Sequence, residues 1–132
     1  MSPVGCYRNK DWEQQVLFEG LNQGLLCFSS IKACQEYKGK AYLFLIPKYG
    51  NTLLSTGQDI MYRRLVEDLS LAGKFVIAAI VSHETSQDQP IMLKDCLVSN
   101  LKIGFNPWRK PTKPITATQM RSTCIMNLIN SA

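Results

Sequence analysis

The chain has 132 residues, a formal net charge of +5, five cysteines and one histidine. Its apolar fraction of 45% and charged fraction of 19% exclude a disordered chain, and the length suits a single domain able to bury a core unaided. The aliphatic runs Tyr42–Ile46 and Phe75–Val81 are too short to span a bilayer.

The first ten residues read as an exposed arm, with residues 11–132 as one α+β domain. The opening MSPVGCYRNKDW has no apolar run of a secretory leader, Ser2 does not suit myristoylation, and the ending NLINSA is no prenylation box. Asp11 can cap a short helix to about Glu19, stopped by Gly20. Leu25–Phe28 is a candidate strand. Ser29 or Ser30 is placed to cap a brief helix that turns Ile31, Cys34 and Gln35 inward and ends at Gly39.

Ala41–Ile46 is rich in aromatic and branched residues and reads as a strand buried on both faces, closed by Pro47. Lys48–Asn51 is turn chemistry, and Thr52–Ser55 is a possible short return strand. The spacing of Met61, Leu65 and Leu69 predicts a helix over 57–72, capped by Ser55 or Thr56 and ended by Gly73. Residues 74–82 form a second buried strand, and 82–91 a polar loop.

Residues 92–98 and 101–105 read as a hairpin turning at Ser99-Asn100. Three prolines keep 106–114 extended. Thr116 and Gln119 form a capping box for a last helix, with Ile115 stapling to Met120 and with Met120, Cys124 and Leu128 on its apolar side. This order predicts an α+β fold, a mostly antiparallel sheet with helices on one face, with a doubly wound α/β sheet as the alternative.

No catalytic motif stands out. His83 is the single histidine, and no cysteines stand at C-x-x-C spacing, so neither a metal nor another cofactor is expected. Cys96 with His83 and Glu84 or Asp95 supplies the residue types of a nucleophilic site, but their spacing selects nothing. Isolated, odd-numbered cysteines point to free thiols and to an intracellular, reducing compartment, cytoplasm or nucleus.

Charge is the informative feature. Through residue 93 nine basic and nine acidic residues cancel, whereas from residue 94 six bases (Lys94, Lys102, Arg109, Lys110, Lys113, Arg121) face Asp95 alone. The segment from Lys102 to Pro114 joins these cations to Phe105 and Trp108 in a proline-stiffened loop. Lys102, Arg109, Lys110 and Lys113 are of the type that neutralises phosphates, and Phe105 and Trp108 offer faces for unpaired bases. Arg63 and Arg64 either extend this patch or pair with Glu67 and Asp68.

The expected function is a non-enzymatic binding module for single-stranded RNA or DNA, or another phosphate-rich partner. The alternative is a small assembly protein, viral matrix-like or accessory, that self-associates and contacts membrane or host protein. A Trp among Arg and Lys also suits peripheral contact with an anionic bilayer.

Overall fold

A computed structural model describes residues 17, 19–21 and 31–130, with the side chains of 125 and 127–130 left aside. The chain divides into two units, residues 1–30 and 31–132, and the fold described is that of the second. The expected arm over 1–10 and strand over 25–28, and the helix over 11–19 apart from Leu17 and Glu19, lie outside the described residues. No helix among the described residues is long and apolar enough to cross a membrane.

Four strands form one mixed sheet in the order β1-β2-β3-β4 (β1 Ala33–Tyr37, β2 Ala41–Tyr49, β3 Phe75–His83, β4 Leu97–Ile103). The outer pairings are antiparallel and the central β2–β3 pairing is parallel. Helix α1 (Thr56–Leu71) crosses from β2 to β3, and α2 (Ala117–Asn130) follows the proline-rich loop. The α+β class expected from the element order is the one the chain adopts.

Helix placement follows from strand alternation. Side chains of successive residues leave a strand on opposite faces, so each buried strand must be covered twice. One face carries Phe44, Ile46, Val76, Ala78 and Ile80, and receives Tyr62 and Val66 of α1. The other carries Leu43, Ile77, Ala79, Val98 and Leu101, and receives Met120 and Cys124 of α2. The helices are therefore shared between the faces, not gathered on one.

Local chemistry explains the element ends. The Ser55 hydroxyl caps α1 by accepting the Gln58 N–H at 3.2 Å. Gly73, at φ 86°, makes the left-handed turn that releases the chain into β3. At α2 the capping box closes in both directions: Thr116 Oγ1 accepts from Gln119 N–H at 3.2 Å, and Gln119 Oε1 accepts from Thr116 N–H at 2.9 Å. Buried Tyr62 and Val66 centre the apolar stripe of α1, with Met61, Leu65 and Leu69 flanking them. β2 runs through Pro47 rather than stopping before it; β1 ends opposite Leu45, so Pro47 lies where that side of β2 has no paired strand among the described residues.

Three expectations are corrected. Residues 33–37 form an edge strand instead of a helix, because Lys38 (φ 48°) and Gly39 (φ 69°) build a tight turn that folds the segment back onto β2. A helix that short has little stability of its own, whereas pairing satisfies the β2 backbone. Thr52–Ser55 is the lead-in to α1 and not a strand. Ser99-Asn100 does not turn the chain: β4 runs straight through, and the pair sits at a bulge where the register against β3 shifts between Ile80 and Val81. The segment before it contributes a single 3-10 turn, Leu93–Asp95.

Candidate functional site

The chain reverses after β4 at Gly104–Asn106, and the returning segment pairs back with the same strand. Arg109 and Leu101 exchange backbone hydrogen bonds of 2.9 and 2.7 Å in an antiparallel bridge. Residues so paired send their side chains to one face. Leu101 belongs to the α2-side core, so Arg109 lies on that side, and its neighbour Trp108 goes to the other.

The loop is thereby split. Trp108 is half-buried against the α1-side core, and its indole Nε1–H donates to Asp59 Oδ1 at 2.7 Å. Its ring is part of the packing beneath α1 and does not stand beside the cations as a stacking platform. Phe105 is 60% exposed at the tip of the reversal and does not line the groove described below.

Lys102 leaves the set of surface cations. Its side chain is 1% exposed, and its ammonium pairs with Glu67 at 2.9 Å and donates to the carbonyls of Gly104 (3.0 Å) and Asn106 (2.7 Å). The expectation that it contacts phosphate is corrected: alternation turns it toward α1, where its charge closes the 104–106 turn. Arg63 pairs with Asp59 at 3.3 Å on the same α1 side, so this arginine does not extend the loop's positive patch.

Arg109, Lys110 and Lys113 are exposed, and all three are among the lining residues, its cationic rim, of a groove of about 660 Å³ between residues 109–115, the α2-side face of the sheet, and α2. None of the three has a carboxylate partner among the described residues. The groove floor is apolar: Ile77, Leu101 and Ile103 from the sheet, Ile115 from the loop, Met120 and Cys124 from α2. The sequence singles out Arg109, Lys110 and Lys113 but not the groove that they line. The signal was present in Leu101, Ile103, Ile115, Met120 and Cys124, but it becomes a cavity only once the loop is known to stand off the sheet.

Burial pushes the Cys124 thiol up to about 11, from an ordinary 9.0. The folded chain holds a proton that the unfolded chain releases, so this group's stabilising effect is complete below pH about 9 and fades as pH rises through about 11. Urea unfolding at pH 8 and pH 10.5 is expected to show a loss of stability that is smaller in Cys124→Ala. An equal loss in both chains contradicts the assignment.

Cys34, Cys96 and Cys124 are free thiols, while Cys6 and Cys27 lie outside the described residues. Among the described residues no hydrogen bond or ion pair links Cys96, His83, Glu84 and Asp95 to one another. The Cys96 thiol donates to the Met92 carbonyl at 3.2 Å, and His83 Nδ1 accepts the Thr85 N–H at 3.2 Å while its ring meets Tyr49 edge-on. No group of three His, Cys, Asp or Glu side chains among the described residues is placed to hold a metal. Comparison of the chain with protein-family models, curated proteins and solved structures finds no match.

Proposed function

We propose that this chain is a non-enzymatic binding module that holds the phosphates of a single-stranded nucleic acid through Arg109, Lys110 and Lys113, in a reducing intracellular compartment. The observation that carries the reading is that these three exposed cations line one groove and that none of them is paired with a described carboxylate. Guanidinium and ammonium groups left unpaired at a surface gain most from an anion that brings several charges at that spacing. Prolines at 107, 111 and 114 hold the segment extended, so less freedom is lost on binding.

Such a site reads phosphates and not bases. With Trp108 engaged by Asp59, base stacking falls to Phe105 alone, so affinity depends little on sequence.

The test is a titration of labelled single-stranded RNA at two salt concentrations with the natural chain and with Arg109→Gln/Lys110→Gln/Lys113→Gln. Each phosphate contact to a single strand contributes about 0.7 to the log–log salt slope, so the triple variant is expected to flatten it by about 2. An unchanged slope overturns the reading. So does strong binding to anionic vesicles without binding to RNA, which would make the partner a bilayer surface.

A further inference from the structure

We infer that the groove beneath the rim is a site for a single-chain anionic amphiphile, an alkyl phosphate or long-chain carboxylate, whose head meets Arg109, Lys110 and Lys113 and whose hydrocarbon chain lies along the floor. This rests on the reading of those three residues as an anion site and adds what the anion is attached to.

Size comes first. About 660 Å³ lies within the range of roughly 300–1,000 Å³ typical of small-molecule pockets. A groove of that volume floored by Ile77, Leu101, Ile103, Ile115, Met120 and Cys124 holds water against apolar surface, which an alkyl chain displaces favourably.

Polar bookkeeping then selects the kind of body. A nucleobase or sugar in the groove needs donors and acceptors along its edges, or its polar atoms are buried unpaired. The two α2 polar side chains that line the groove are each partly engaged by α2 and its cap, and Thr112 is the one other uncharged polar side chain of the lining. Gln119 Oε1 accepts the Thr116 N–H at 2.9 Å, and Thr123 Oγ1 donates to the Gln119 carbonyl at 3.1 Å. The Cys124 thiol is turned to Met120 Sδ at 3.7 Å. An aliphatic chain asks nothing of these groups.

Charge selects the head. The groove has cations on its rim and no acid among its lining residues. An anionic head is drawn to that edge, and a cationic head of the same chain length is repelled from it.

The experiment is calorimetric titration of the full chain with inorganic phosphate and with butyl, octyl and dodecyl phosphate below their micelle concentrations. Dodecyltrimethylammonium serves as the charge-reversed control, and single-stranded RNA reports the rim independently. Affinity is expected to rise with chain length by up to about fourfold per buried methylene until the groove is filled. Thr123→Trp, an exposed α2 position on the groove wall, is expected to remove that gain while RNA binding stays within twofold.

A flat chain-length series with RNA binding intact overturns the groove site and leaves the rim reading standing. Loss of RNA and of all phosphates alike defeats both. Equal affinity for dodecyltrimethylammonium and dodecyl phosphate overturns the choice of head group. Should Thr123→Trp fail to fold, the chain-length series in the unaltered protein still decides the matter.

Discussion

Glu67→Ala is expected to destabilise the fold by about 3–5 kcal/mol, because it strands a cation inside the protein. The Lys102 ammonium is 1% exposed and has three partners: the Glu67 carboxylate and the carbonyls of Gly104 and Asn106. Carbonyl dipoles alone do not compensate a buried unit charge. Glu67 is itself 42% exposed, so some water reaches the vacated site, and the effect is expected at the lower end of that range. For a domain of this size such a loss lowers the melting temperature by roughly 10 °C or more. Adding Lys102→Met to Glu67→Ala is expected to recover part of the loss, since the second change removes the uncompensated charge. Thermal unfolding of both chains checks this; a Glu67→Ala effect within about 0.5 kcal/mol, the range of ordinary surface substitutions, contradicts the buried pair.

Trp108→Ala is expected to cost about 2–4 kcal/mol of stability and to leave RNA binding by the folded protein within twofold. The indole fills space against the α1-side core beside Tyr62 and Val66, and its N–H holds Asp59, which in turn pairs with Arg63. Truncation opens a cavity and releases that hydrogen bond. The ring is half-buried, which places the cost below that of a fully enclosed tryptophan. Trp108→Phe keeps most of the packing and loses the hydrogen bond, so it is expected to cost about 1–2 kcal/mol. Denaturant unfolding gives the first quantity and titration well below the melting temperature the second. A variant that folds normally and loses single-strand binding contradicts this placement of the ring.

These two expectations reverse what composition suggests, and the reason is physical. A count along residues 102–114 gathers cations and rings into one patch, but an extended chain deals its side chains alternately to two faces. Lys102 and Trp108 fall on the α1 side, and Arg109 falls on the α2 side with Leu101. Alternation was readable in the sequence. What was not readable is that Arg109 pairs back onto Leu101 of β4, since that depends on the reversal at Gly104–Asn106.

Where local signals agreed, the elements emerged from the sequence. The Thr116–Gln119 box, the Ser55 cap with Gly73, and the apolar runs of β2 and β3 each carry their own chemistry. Misreadings came where a polar pair admits two geometries. Ser99-Asn100 serves a turn or a bulge equally well, and β3 on one side selects the bulge. Gly39 ends a helix or turns a hairpin, and the exposed β2 edge selects the hairpin. The division of the helices between two faces is likewise a property of the assembled sheet, because both faces of β2 and β3 are apolar and each needs a cover.

Nuclear magnetic resonance during addition of an unlabelled single-stranded RNA is the most direct measurement. The backbone amides of Arg109, Lys110, Thr112 and Lys113 are expected to shift progressively with RNA, while the Trp108 indole N–H, held by Asp59, keeps its position. An indole resonance that moves while those four amides stay still would contradict the division of this loop into an anion-binding rim and a half-buried anchor.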